Sequence, residues 1–255
     1  YGVAVSLPFF RYRVANGTLA VTPTAYFSQG PGVAVDWRQT VGDLSYSISA
    51  SGVYQFNPGA FSGLANRNVR GAVQTSGTFT PTDEWTLGWS YTAFTDPGYL
   101  PDYDIDSGTA TNEVYAQYLD ADTYADIRVQ QFVPLDNRAN QAAFDNVVDE
   151  QALTHPNAFA DHIIDLENGA GRVELSTRLL GLTRVLDDTS HGFVHGYEGQ
   201  SVHAMMQASW TNQYVVPGGL LVSPYLGLRG DAASYDGASP LASAPAGQSL
   251  FSATP

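Results

Sequence analysis

Residues 44–52 read LSYSISASG, and this stretch decides the fold because two kinds of side chain alternate along it. Leu44, Tyr46, Ile48 and Ala50 take one set of alternate positions, and serines take the other. Successive side chains of a β-strand point to opposite faces of the sheet. The stretch therefore predicts a strand with one apolar face and one hydroxyl-bearing face.

The same alternation recurs along the chain and predicts about twelve strands, most of them roughly 9–13 residues long. Strands of soluble proteins are usually about 5–6 residues long, whereas membrane-spanning barrel strands need about 9–11. Turn signals such as Asn16-Gly17 and Pro217-Gly218-Gly219 separate the segments. The predicted strands cover residues 1–13, 18–28, 33–41, 44–56, 69–80, 84–95, 109–119, 123–134, 145–153, 172–183, 201–214 and 219–231.

The distribution of charge and aromatic residues favours a membrane barrel over a soluble protein. Trp37, Trp85 and Trp89 fall on the apolar face, as expected for side chains at a membrane interface. We therefore predict an all-β fold, an antiparallel transmembrane β-barrel. A soluble β-sandwich with a charged outer face shares the alternation and stays open as an alternative. The charged residues of the polar face, which we predict to face the lumen, are Asp36, Arg38, Asp126, Arg128, Glu174 and Arg178.

Composition excludes several classes of protein. Charged residues make up only 14% of the chain and the net charge is −14, so no basic stripe is available to bind nucleic acid. There are no cysteines, which rules out disulfide frameworks and thiolate metal sites. No apolar run is long enough to form a membrane-spanning helix. All the basic residues are arginines.

The sequence contains no motif that predicts catalysis, so we expect no enzyme activity, catalytic residue, cofactor or metal site. No nucleophile elbow, phosphate-binding loop or dinucleotide fingerprint is present. Asp102, Asp104 and Asp106, followed by Gly108 and Glu113, imitate a calcium loop, but the glycine comes one position late. An acidic loop is the preferred interpretation, and a weak cation site is the alternative.

Two prolines interrupt the first two predicted strands. Proline cannot donate a hydrogen bond to the sheet, so Pro8 and Pro23 weaken strand pairing where they lie. One interpretation is an ordinary edge strand at the start of a sheet. The other is a seam built to open.

Three segments carry a resemblance to a known family. The first is SLPFFRYRVANGTLAVTPTAYFSQG, at residues 6–30, with its two prolines. The second runs from Trp85 through Asp96-Pro97-Gly98-Tyr99 to Asp104, and the third runs from Trp210 to Asp231. Together they resemble the barrel of the LptD (OstA) family, the outer-membrane proteins of lipopolysaccharide (LPS) assembly.

The resemblance implies LPS transport and assembly in the Gram-negative cell outer membrane. LPS would pass through the barrel and leave by a lateral gate between the first and last strands into the outer leaflet, with Pro8 and Pro23 as the gate prolines. The implied partners are LPS, an LptE-like plug lipoprotein, membrane lipid and periplasmic LPS-bridge proteins that bind a further N-terminal domain. A general porin and a soluble extracellular glycan-binding β-sandwich are the alternative functions.

The resemblance also bears on domain organisation. The family's barrel is about twice as large as the strands counted in this chain, so we expect residues 1–231 to form the N-terminal part of a larger barrel. Residues 232–255 are rich in Ala, Ser, Gly and Pro and predict a loop or a frayed C-terminal segment.

Overall fold

The protein folds almost entirely into antiparallel strands, as its alternating sequence predicts. In this computed structural model, residues 3–7, 10–189, 193–237 and 248–254 are described. No helix in those residues has both the length and the apolar character needed to cross a membrane. The strands are β1 Ala4–Ser6, β2 Phe10–Val14, β3 Gly17–Tyr26, β4 Gly30–Val41, β5 Leu44–Tyr54, β6 Val69–Phe79, β7 Trp85–Phe94, β8 Thr109–Leu119, β9 Thr123–Pro134, β10 Leu153–Asp165, β11 Arg172–Arg184, β12 Gly199–Thr211, β13 Tyr214–Val216, β14 Leu220–Val222, β15 Tyr225–Asp236 and β16 Gln248–Thr254.

The strands belong to two compact units. The first unit comprises residues 1–81, 86–114 and 131–151, and the second comprises the remainder. In the first unit the strand order is β1-β3-β4-β5-β6-β7, and β2 pairs with β3 beyond the end of β1. In the second unit the order is β9-β10-β11-β12-β15-β16, and β13 and β14 form a separate hairpin.

In each unit the apolar face of the sheet is exposed. Ile48 on β5 is 39% exposed, Met206 on β12 is 68% exposed and Leu226 on β15 is 70% exposed. A soluble sandwich would bury such side chains between two sheets. The exposed faces argue against the sandwich alternative and agree with strands whose apolar side meets hydrocarbon.

Trp89 covers a glycine on the same apolar face. Gly77 of β6 lies directly opposite Trp89 of β7, and a Cβ atom built on Gly77 would collide with the indole ring. The indole Nε1 donates a hydrogen bond to Thr75 Oγ1 at 3.3 Å, which fixes the ring across the strand pair. The glycine therefore makes room for the ring.

The predicted strand at 145–153 is wrong, because residues 141–149 form a helix, α2 Gln141–Asp149. Asn140 caps it by accepting a hydrogen bond from the Ala143 amide at 2.9 Å. Phe144 and Val148 lie four residues apart, which places them on one side of a helix, and both pack against the core of the first unit. The period of the apolar residues is thus helical at this point.

The structure has strands where the sequence analysis identified none. Residues 153–165 form β10, whose pairing with both neighbours shifts between Thr154 and Asn157. At the C-terminal end, β15 continues to Asp236 and β16 covers 248–254, where a loop was predicted. The boundary of the barrel at residue 231 stays a prediction.

Candidate functional site

A continuous polar surface crosses the first unit on the face opposite to Ile48. Two rows of directly opposed residues form it, since residues paired across an antiparallel sheet share a face. One row runs through Arg13, Thr18, Arg38, Ser47, Ser76 and Ser90, in strand order from β2 to β7. The next row runs through Arg11, Ala20, Asp36, Ser49, Gln74 and Thr92.

One end of this surface is an open pocket of about 340 Å³, which we call the arginine pocket. Asp36 and Arg38, both predicted to face the lumen, lie in it. Asp36 Oδ1 accepts a hydrogen bond from Ser49 Oγ at 2.7 Å, so its carboxylate is held toward β5. The pocket is lined by Arg11, Arg13, Thr18, Ala20, Asp36 and Arg38.

The middle of the surface is a second open pocket, of about 370 Å³, which we call the hydroxyl groove. Its lining is dominated by serine and threonine side chains, and it includes the carboxylate of Asp106. Ser47 and Ser76 share a hydrogen bond of 3.0 Å between their hydroxyl oxygens. Such a lining is uncharged apart from Asp106 and rich in groups that both donate and accept hydrogen bonds. It suits a polyhydroxylated ligand.

At the far end, the chain between β7 and β8 folds back and covers the polar face. This cover includes the short helix α1 Tyr99–Asp102 and the motif Asp96-Pro97-Gly98-Tyr99. Tyr99 and Leu100 are almost completely buried against Val53 of β5 and Ala72 of β6. The polar face therefore ends in a small apolar core.

Two tyrosines connect this cover to the strands. The Tyr103 ring contacts the rings of Tyr26 and Tyr99 at centroid distances of 5.0 Å, and its hydroxyl accepts a hydrogen bond from Gln55 Nε2 at 3.0 Å. Burial raises the pKa of both Tyr99 and Tyr103, because the phenolate form loses more hydration than the neutral form. Both side chains are therefore held in their neutral form well into alkaline solution.

A buried ion-pair cluster fastens the cover to β6. Arg70 donates two parallel hydrogen bonds to the Asp96 carboxylate, at 2.9 and 2.6 Å, and its Nη2 lies 2.8 Å from Asp102 Oδ2. The side chains of Arg70 and Asp96 are 0% exposed, and that of Asp102 is 17% exposed. The guanidinium also lies over the ring of Phe61, 4.7 Å from its centroid. A buried ion pair offsets its desolvation cost when its geometry is bidentate and further partners contact the charges, as Asp102 and Phe61 do here.

Sequence reasoning did not identify Arg70. Its partners lie 26 and 32 residues further along the chain, and its neighbours Val69 and Gly71 give no sign of an ionic site. Asp102, considered above as a calcium ligand, is a partner of Arg70 instead. Within the described residues, the His, Asp and Glu side chains form no group that could hold a metal ion.

The other predicted polar residues share one face of the second unit. Asp126 lies opposite Phe159, which lies opposite Arg178, and Glu174 lies on the same face of β11. Arg128 Nε donates to Asp126 Oδ1 at 2.7 Å, and Gln117 Nε2 donates to Asp126 Oδ2 at 2.7 Å. The structure thus brings these four residues together on one polar face, and their exposure to a lumen stays a prediction.

Pro23 lies at an irregularity in the pairing of the first strands. Ser6 pairs with Thr24 and Phe10 pairs with Val21, so three sequence positions separate the two pairs along the first strands and two separate them along β3. The Pro23 carbonyl accepts a hydrogen bond from the Leu7 amide at 3.2 Å. Because the N–H and C=O of one residue point to the same side in an antiparallel strand, the donor that Pro23 lacks falls on the same seam. Pro8 lies outside the described residues.

Comparison with known proteins identifies the family. The search of curated proteins gave no match. The family model described as LptD, LPS transport system D, matches residues 68–249, which is well over half of the chain. This match includes the Asp96-Pro97-Gly98-Tyr99 motif and the later segment from Trp210 to Asp231, both of which suggested the family from sequence. The chain therefore belongs to the LptD family, a family of outer-membrane proteins that act in LPS transport and assembly.

Proposed function

We propose that this chain forms part of an outer-membrane LPS translocon that releases LPS sideways through a seam at its first strands. The observation that carries the proposal is the family match, together with the division of each sheet into an exposed apolar face and a polar face. Such a division suits a strand wall with hydrocarbon on one side and a hydrophilic passage on the other. The activity is conduction, with no covalent step.

The lateral gate is proposed between the first and last strands of the barrel, where Pro8 and Pro23 weaken the pairing of the first strands. Three features support it: the extra residue between Ser6 and Phe10, the donor that Pro23 lacks, and a second proline at position 8. Missing ladder bonds lower the free energy needed to separate the strands. The acyl chains of LPS would leave through this seam into the outer leaflet while the sugars stay on the polar face.

The partners of the proposed translocon follow from the family. An LptE-like plug lipoprotein would occupy the barrel, and periplasmic LPS-bridge proteins would deliver LPS to a further N-terminal domain. Both interactions are proposals, as is the position of the chain in the outer membrane of a Gram-negative cell.

The gate is tested by restoring the missing hydrogen-bond donors. Cells would carry the full-length protein with Pro8→Val and Pro23→Val together, and surface LPS would be measured by labelling intact cells. We expect slower delivery of new LPS to the surface, because a complete ladder holds the seam closed. Pro31→Val is the matched control, since Pro31 lies in β4 and away from the seam. Delivery at the normal rate in the double variant, with normal protein levels, would contradict the gate.

A further inference from the structure

Three arginines meet in the arginine pocket although they come from two separate strands. Arg13 lies opposite Thr18, and Thr18 lies opposite Arg38 on its other side. Adjacent strands lie about 4.8 Å apart, so the backbones of Arg13 and Arg38 are about 10 Å apart. Arg11 lies two residues before Arg13, on the same face of β2. Arginine side chains are long enough for all three guanidinium groups to reach one ligand between them.

These guanidinium groups have no ion-pair partner in the part of the chain that the structure describes. Among the described residues, Arg11, Arg13 and Arg38 take part in no salt bridge. Six other arginines do, each with an aspartate: Arg70, Arg128, Arg138, Arg172, Arg184 and Arg229. With Asp36 included, the formal charge of the pocket is about +2 at neutral pH. This is a local excess of positive charge in a chain whose net charge is −14.

We propose that the arginine pocket binds a phosphoryl group of a phosphorylated saccharide, and that the hydroxyl groove beside it takes the sugar. Guanidinium groups match the oxygens of a phosphoryl group in geometry, and a charge of about +2 balances a phosphoryl dianion. Ser47 and Ser49 of the groove lie directly opposite Arg38 and Asp36, so the two pockets adjoin on one face. The inference rests on the proposed function, because LPS supplies the phosphorylated saccharide.

The position of the pocket gives the binding a role in release. The pocket is built on β2, β3 and β4, and the first strands also form one side of the proposed gate. A phosphoryl group held there keeps the sugar on the polar face, next to the seam through which the acyl chains leave. The pocket would thus orient an amphiphile at the gate.

The test measures binding of fluorescent LPS to the full-length protein in detergent micelles by anisotropy. Two ligands are compared, intact LPS and the same LPS treated with a phosphatase, and inorganic phosphate serves as a competitor. The test variant carries Arg11→Gln, Arg13→Gln and Arg38→Gln. Arg172→Gln is the matched control, because Arg172 lies in the second unit and pairs with Asp165. Arg38→Lys keeps the charge, and heat-modifiable gel mobility confirms folding of every variant.

We expect the triple variant to bind intact LPS at least tenfold more weakly and phosphatase-treated LPS with a change below about twofold. Arg172→Gln should match the wild type, Arg38→Lys should keep most of the binding, and added salt should weaken only the phosphate-dependent part.

Three results would overturn the inference. If the triple variant lost affinity equally for the two ligands, or lost none, the phosphoryl site would be disproved. The translocon proposal would still stand. If inorganic phosphate competed as well as intact LPS, the pocket would recognise phosphate alone, and the saccharide would play no part in binding. A wild-type protein that binds neither ligand would contradict the translocon and the inference together.

Discussion

Arg70 and Asp96 form a completely buried ion pair with two hydrogen bonds, of 2.9 and 2.6 Å, between a strand and the segment that covers it. Asp102 adds a second carboxylate to the same guanidinium. The covering segment is thereby anchored to β6 by charge as well as by its apolar contacts. The pair shows how the polar face of the first unit is closed at one end.

Replacing Arg70 with methionine is expected to destabilise the first unit strongly. The change leaves Asp96 buried without its partner, which costs about 3–5 kcal/mol. Arg172→Met is the control: its pair with Asp165 is 48% and 66% exposed, so its loss should change the free energy of unfolding far less. The free energy of unfolding would be measured by urea titration in the presence of lipid vesicles. Equal losses for the two variants would show that the buried pair does not anchor the cover.

Alkaline solution is expected to loosen the cover through Tyr99 and Tyr103. Burial raises the pKa of each above its value in the unfolded chain, about 10, so their neutral forms stabilise the fold fully below that pH. This contribution is lost as the pH rises through the pKa of the folded state. A variant with Tyr99→Phe and Tyr103→Phe should therefore lose less stability than the wild type above about pH 10.

The readout is the free energy of unfolding at a series of pH values. The exposed Tyr225 provides the control, because Tyr225→Phe removes a hydroxyl without touching the cover. Parallel pH curves for the wild type and the double variant would rule out these tyrosines as the groups responsible.

Gly77 is expected to tolerate no side chain while Trp89 keeps its position. Gly77→Ala pushes a methyl group into the indole ring and should cost about 1–3 kcal/mol. Adding Trp89→Leu should remove most of that cost, so a double-mutant cycle measures the coupling. Gly59→Ala is the control, because the nearest atom to an added Cβ there is Asn57 Oδ1 at 3.8 Å. Additive costs at positions 77 and 89 would contradict the contact.

The sequence predicts most of the fold because the strands follow a simple period. The predictions at 109–119 and 123–134 coincide with β8 and β9, where turn residues bound a clear alternation. Alternation fails as a guide at α2, because Phe144, Val147 and Val148 have the i, i+3, i+4 spacing of a helix. It also fails at β10, where His155-Pro156 interrupts the pattern.

The site is less accessible to sequence reasoning than the fold. Asp36 and Arg38 follow from alternation on a single strand. Arg11 and Arg13 join them only through the register of β2 on β3 and of β3 on β4. That register cannot be read from the sequence. Arg70 depends on a chain reversal that brings Asp96 and Asp102 back onto β6.

The central claim, that the apolar face of these strands meets lipid while the polar face lines a passage, is tested most directly by spin labels along β5. The chain has no cysteine, so single cysteines at positions 46–51 of the chain can be labelled specifically in reconstituted membranes. Collision rates with oxygen, which dissolves in lipid, and with a water-soluble nickel chelate would be measured at each position. We predict that oxygen dominates at 46, 48 and 50 and the nickel chelate at 47, 49 and 51. Loss of this alternation, or its reversal, would contradict the account.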